Sequence, residues 1–142
     1  MYYRKLLKKE RFMLIHCFKI LGEKNEIYIE DNIILYIRET LKWIDTYNDE
    51  KLLQLNKGIN YYGITYLDAK GIIHLKKILL GWKKLFQKAP SYFRLTGLFC
   101  FNINKREKIP YLKQELLSQL DSLINLCETA IKQNKIIYHG GI

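Results

Sequence analysis

The segment 69–88 constrains this chain's fold more than any other part of it. Ile72, Leu75, Leu79, Trp82 and Phe86 recur at three- and four-residue intervals, and Ile78 and Leu85 widen the stripe. Lys76, Lys77, Lys83 and Lys84 lie off that stripe. Asp68 stands where an N-cap satisfies the first-turn N–H groups, and Pro90 ends the pattern. A helix with one apolar face is stable only when another element covers that face, so the rest of the chain must supply the cover.

Other stretches carry similar spacing. A helix over 3–21 would put Tyr3, Leu7, Leu14, Phe18 and Leu21 on one face, with Gly22 as the stop. Asp31 reads as the N-cap of a helix over 32–47 with Ile34, Ile37, Leu41 and Ile44 inward. Asp49 would cap a short helix over 50–55, ended by Lys57-Gly58. Pro110 fits the first turn of a long helix over 110–133, striped by Leu112, Leu116, Leu120, Leu123, Cys127, Ala130 and Ile131. Residues 26–29 and 59–67 read as extended, and 92–103 as a short hairpin or an irregular packed segment. The tail 136–142 is apolar. The expected fold class is mainly α, a compact bundle of four to five helices with one or two short strands, in a single domain over residues 1–142.

Composition bounds what such a domain does. With 142 residues, 49% of them hydrophobic, the chain can bury a core without metals or disulfides. Cys17, Cys100 and Cys127 read as buried free thiols of a reducing compartment, with one disulfide plus a spare thiol as the alternative. The apolar run 12–18 is short and holds His16, so it makes a poor secretion signal; no run is long enough to span a membrane. A cytoplasmic location is expected.

No catalytic pattern stands out. His16, His74 and His139 are scattered, no Ser sits in a nucleophile elbow, and the eight glycines form no phosphate loop. No enzyme activity, catalytic residue, metal or cofactor is expected. Arg11 and His16 have the Arg-x4-His spacing of HEPN-type ribonucleases, but Phe12 stands where that family has a polar residue. On a helix the two side chains would also lie about 140° apart.

The net charge of +10 selects an anionic partner: nucleic acid, an acidic protein or a membrane surface. Residues 26–58 are net acidic and separate two basic segments. Tyr2, Tyr3, Arg4, Lys5, Lys8 and Lys9 mix aromatic and basic groups, which leaves a basic helical nucleic-acid-binding protein, or a HEPN-like RNA-processing one, as the alternative function.

A resemblance ranks an acidic protein above nucleic acid. Asn60-Tyr-Tyr-Gly63-Ile-Thr leads into Leu80-Gly-Trp82-Lys-Lys-Leu-Phe86, then Lys88-Ala-Pro90, Leu95-Thr-Gly97, Leu126-Cys-Glu-Thr-Ala130 and His139-Gly-Gly-Ile142. Over residues 60–142 this resembles small bacterial immunity proteins of contact-dependent growth inhibition and related polymorphic toxin systems. The resemblance implies a protein that binds a cognate toxin domain, often a nuclease, occludes its active site and catalyses nothing itself. Immunity proteins to nucleases are often acidic, so a basic one requires an acidic face on its toxin. The expected partner-binding residues are Lys76, Lys77, Lys83 and Lys84, with Arg4, Lys5 and Lys8 from the basic N-terminal segment.

Overall fold

The computed structural model describes residues 3–6, 11–100 and 104–142. Its described elements run β1 (Tyr3–Leu6), β2 (Arg11–Ile20), β3 (Glu26–Glu30), α1 (Asp31–Leu41), β4 (Asp45–Tyr47), β5 (Leu55–Lys57), β6 (Ile64–Leu67), α2 (Ala69–Phe86), β7 (Tyr92–Cys100), β8 (Lys105–Leu112), α3 (Lys113–Gln133) and β9 (Ile137–Gly140). Seven strands form an antiparallel sheet in the order β1-β2-β9-β6-β4-β5, with β3 also paired to β2; β7 and β8 form a separate ribbon. The fold is α+β. The expected all-α bundle of four to five helices is overturned by this sheet and by the presence of only three described helices.

The largest correction concerns residues 3–21, which form β1 and β2 rather than a helix. A short, nearly unbroken apolar run fits a buried helix and a strand buried on both sides equally well. In β2, His16, Phe18 and Ile20 alternate with Ile15 and Cys17, and all five are buried. A strand with two covered faces needs no polar alternation, so the run looks continuous. The strand also removes the HEPN reading, which requires a helical domain around Arg11 and His16.

The acidic turn residues are redistributed too. Asp31 is the first residue of α1, not its N-cap; Glu30 holds the cap position, and its N–H donates to Gln119 Oε1 at 2.9 Å. The expected helix over 32–47 stops at Leu41, and 45–47 joins the sheet as β4. Asp49 caps no helix: its carboxylate folds a turn by accepting from the N–H groups of Leu53 and Gln54. That backbone bonding, Gln54 foremost, lowers its pKa. Residues 50–55 form no helix, and Leu55 opens β5.

Several expectations survive. α2 begins after Asp68, whose side chain accepts from Gly71 N–H at 2.9 Å. Ile72, Leu75, Leu79 and Phe86 are buried on it. Residues 26–29 and part of 59–67 are strands, and 92–100 forms one arm of a hairpin; 101–103 lie outside the described residues. α3 starts at Lys113, because Pro110 belongs to β8 opposite Arg94. A two-stranded ribbon leaves one side of each strand unpaired, where a residue without an N–H is tolerated. α3 buries Leu116, Leu120, Leu123, Cys127 and Ala130. Cys17 and Cys127 are both buried, and burial pushes the Cys127 thiol up to about 12. The side chain of Cys100 lies outside the described ones. No described helix is long and apolar enough to cross a membrane.

The tail takes a central place. β9 lies between β2 and β6, pairing with 17–20 on one side and 64–67 on the other. Beyond it, Gly141 N–H donates to Gly63 O and Ile142 N–H to Tyr61 O. Gly141 permits this approach, since a Cβ there would collide with the carbonyl oxygen of Tyr61 and lie 2.7 Å from that of Asn60. Both obstacles are backbone of the segment that leads into β6, not the far end of a flexible side chain. Gly141→Ala is expected to destabilise the fold by roughly 1–3 kcal/mol, as a lower midpoint in urea unfolding; an unchanged midpoint would contradict this packing.

Candidate functional site

Most of the buried polar side chains among the described residues are gathered at one place, Thr46 being held apart by its bond to Gly58 O. His16 on β2, His139 on β9 and Thr65 on β6 sit on the helix-facing side of the sheet, and Asp31 opens α1 above them. His139 Nδ1 lies 3.4 Å from Thr65 Oγ1, and its Nε2 lies 2.9 Å from His16 Nδ1. His16 Nε2 lies 2.8 Å from Asp31 Oδ1. The Tyr61 hydroxyl donates to Asp31 Oδ2 at 2.6 Å, and Asn60 N–H donates to Thr65 Oγ1 at 2.7 Å.

The chemistry of the two ends orients this chain. A carboxylate only accepts, so His16 Nε2 carries the hydrogen given to Asp31. With both rings neutral, His16 Nδ1 then accepts from His139 Nε2–H, and His139 Nδ1 accepts from the Thr65 hydroxyl. Every polar side-chain atom in the chain has a partner, as burial demands. The rings of His16 and His139 stack with centroids 5.2 Å apart, and Phe18 closes over His139 at 4.9 Å. Burial first, and then the neighbouring His16, hold His139 well below the usual imidazole range. Burial, followed by the hydrogen bond to Asp31, raises the Tyr61 phenol.

This cluster is closed to solvent. His16 and His139 are both 0% exposed and Asp31 is 4% exposed. The imidazole nitrogens face one another instead of converging on a point. Among the described residues no group of three or more His, Cys, Asp or Glu is placed to hold a metal ion. The chain ties three strands and a helix together through side chains up to 123 residues apart in sequence. The hint available in the sequence was a histidine inside each of two apolar runs, at 12–18 and 136–142.

The expected partner-binding lysines separate into two groups. Lys83 Nζ is 2.7 Å from Asp121 Oδ1, and Lys76 Nζ is 3.6 Å from Glu128 Oε1, so both face α3 and answer its carboxylates. Lys77 and Lys84 are exposed on the other side of α2. Arg4 and Lys5 lie on β1, not on a helix, and Lys8 lies outside the described residues.

Lys77 borders a feature that charge patterning does not reveal. Thr40, Trp43, His74, Lys77, Ile78, Gly81, Trp82 and Leu85 line a shallow groove of about 460 Å³ along α1 and α2. Trp43 is 65% exposed and Leu85 57%. The Trp82 indole N–H donates to Thr40 Oγ1 at 2.9 Å, and that hydroxyl donates to Ile37 O at 2.6 Å, so the indole is held in one orientation. Tyr36, Trp82, Phe86 and Phe93 continue as successive ring contacts 5.7–6.0 Å apart. Gly81 forms part of the groove wall, and a Cβ there would meet nothing within 4 Å. Comparison with family models, curated proteins and solved structures finds no match to this chain.

Two outcomes test the buried chain. Asp31→Asn replaces an acceptor with a group that can receive only one of the two donors, and it should destabilise by about 2 kcal/mol or more in equilibrium unfolding. Tyr61→Phe, which removes one of those donors, should cost about 1 kcal/mol. The pH dependence follows from His139. Its pKa is lower folded than unfolded, so the unfolded chain binds a proton that the folded chain refuses. Its contribution to stability is therefore intact above about pH 6.5 and falls below it, with a limiting slope of about 1.4 kcal/mol per pH unit. Urea midpoints at pH 7.5, 6.5 and 5.5 measure this; a midpoint that rises toward pH 5.5 would rule it out.

Proposed function

We propose that this protein works by binding another protein, and that its partner presents an acidic segment with one apolar face to the groove along α1 and α2. Gly81 carries the reading. In a helix interior glycine is less favourable than alanine by about 1 kcal/mol, and no neighbour within 4 Å requires the missing side chain. The open space at Gly81 lies between Trp82, Ile78 and Trp43, and an incoming side chain or helix can occupy it. Trp82, held in orientation by Thr40, and the exposed Trp43 border the hollow, and tryptophan is among the residues that most often anchor an interface.

Charge supports an acidic partner. Lys77 lines the groove and Lys84 is exposed on the same helix, in a chain of net charge +10. Lysines at the rim speed association with an acidic surface more than they tighten the complex, and salt screens that effect. The resemblance to immunity proteins supports a toxin domain as the partner, neutralised by occlusion of its active site. The sealed state of His16 and His139 is consistent with a protein that does no chemistry there.

The gene product encoded beside this one is the partner to test. Co-expression should protect cells from it, and the purified pair should associate more slowly as salt rises. Trp43→Ala and Gly81→Leu should each weaken the complex by at least roughly tenfold, about 1.4 kcal/mol, while leaving circular dichroism unchanged. Gly81→Ala should raise the stability of the free protein by about 0.5–1 kcal/mol. Wild-type affinity in both groove variants would sink the assignment of the groove.

A further inference from the structure

A second concavity lies on the opposite margin of α1. Arg38, Leu41, Lys42, Lys57, Ile59, Asn60 and Tyr61 enclose about 240 Å³. Three of these seven carry positive charge, and they come from two pieces of chain: Arg38 and Lys42 from the last turn and C-cap of α1, and Lys57 from β5. The Arg38 guanidinium lies over the Tyr61 ring at 5.5 Å. That contact needs none of the five guanidinium N–H groups, and a guanidinium can bind an oxyanion through two parallel hydrogen bonds.

The other two cations are only partly engaged. Lys42 Nζ donates to Glu39 Oε1 at 2.9 Å, and Lys57 pairs with Asp45. An ammonium has three donors, so each keeps two. Both pairs are exposed, and exposed pairs contribute about 0–1 kcal/mol, so a ligand can draw either lysine away at small cost. Glu39 and Asp45 leave one cation in excess at the exposed rim, and the Asp31 carboxylate that would balance it is buried beyond the Tyr61 hydroxyl. The end of a helix ordinarily repels an anion through its free carbonyls. Here three of the last four carbonyls, those of Arg38, Thr40 and Leu41, accept hydrogen bonds from the N–H groups of Lys42, Trp43 and Ile44.

We infer that this pocket binds the phosphate group of a small phosphate monoester, with Arg38 as the bidentate contact and Lys42 and Lys57 closing on the remaining oxygens. The volume admits a phosphate and a few further atoms, so the rest of the ligand extends into solvent; Leu41 and Ile59 offer it apolar wall. Tyr61 links the pocket to the interior, because its hydroxyl rests on Asp31 and Asp31 on His16. Occupancy is thus expected to register at Tyr61 and at the His16 ring, even though neither has to touch the ligand. The site is separate from the α1–α2 groove, and its test does not involve a protein partner.

The experiment is an NMR titration of the intact protein at fixed ionic strength, with inorganic phosphate, phenyl phosphate and a dinucleotide with or without a 5′-phosphate. The expected result is saturable shifts at residues 38–42 and 57–61 and at the His16 ring, for every probe that bears a terminal phosphate. Preference for phenyl phosphate would identify a free small molecule as the source, and preference for the 5′-phosphorylated dinucleotide a nucleic-acid end; either outcome upholds the site. Arg38→Gln should raise the dissociation constant roughly tenfold or more and Lys57→Gln by a smaller factor, whereas Lys84→Gln on α2 should change nothing. Arg38 is exposed, so its variant is expected to fold. Shifts spread evenly over the lysines, equal response to the unphosphorylated dinucleotide, or an unchanged dissociation constant in Arg38→Gln would each overturn the proposal.

Discussion

The hydrogen bond between His16 and His139 is the interaction on which the rest of the arrangement depends. It joins β2 to β9 across the middle of the sheet, 2.9 Å long and sealed from water. An unpaired imidazole in that position would leave a buried donor or acceptor empty, a loss of about 1–3 kcal/mol. The pairing therefore enforces register. A one-residue slip of β9 would carry His139 to the far side of the sheet and remove the donor for which the His16–Asp31 contact leaves His16 Nδ1 waiting as acceptor. Because Asp31 begins α1, the same chain also sets the height and direction at which that helix leaves the sheet.

From this anchor the surfaces follow. α1 lies beside α2, and their contact fixes Trp82 through Thr40 while leaving Trp43 outside. On the other margin of α1, Tyr61 is drawn inward by Asp31, which brings its ring beneath Arg38 and forms a wall of the cationic pocket. One helix thus has a groove with aromatic anchors on one flank and a basic pocket on the other, and the buried chain orients both. The lysines of α2 divide along the same geometry. Lys83 and Lys76, facing α3, are paired with Asp121 and Glu128, and Lys77 and Lys84, facing away, are exposed.

Parts of this were legible beforehand, each for a definite reason. α2 is long, strongly periodic, capped by Asp68 and closed before Pro90, so local and tertiary preferences agree. α3 was legible for the same reason apart from its start, where Pro110 mimics an N1 residue but belongs to a ribbon. Residues 3–21 were not legible, because an apolar run with two covered faces has no period to read. The Asp residues misled in a related way. Asp31, Asp49 and Asp68 all look like caps in isolation, yet only Asp68 caps a helix; Asp31 is claimed by His16 and Tyr61, and Asp49 by a turn.

By itself the sequence determined a core-forming chain with two well-marked helices, a strongly basic balance and no local catalytic motif. Those are properties of composition and short-range spacing, which each segment carries wherever it lies. The sheet, the buried Thr65–His139–His16–Asp31–Tyr61 chain and the two concavities flanking α1 were decided only by tertiary structure. Their members are separated by as many as 123 residues. Strand partners and convergent side chains are chosen by long-range register and shared burial, which no window along the chain contains.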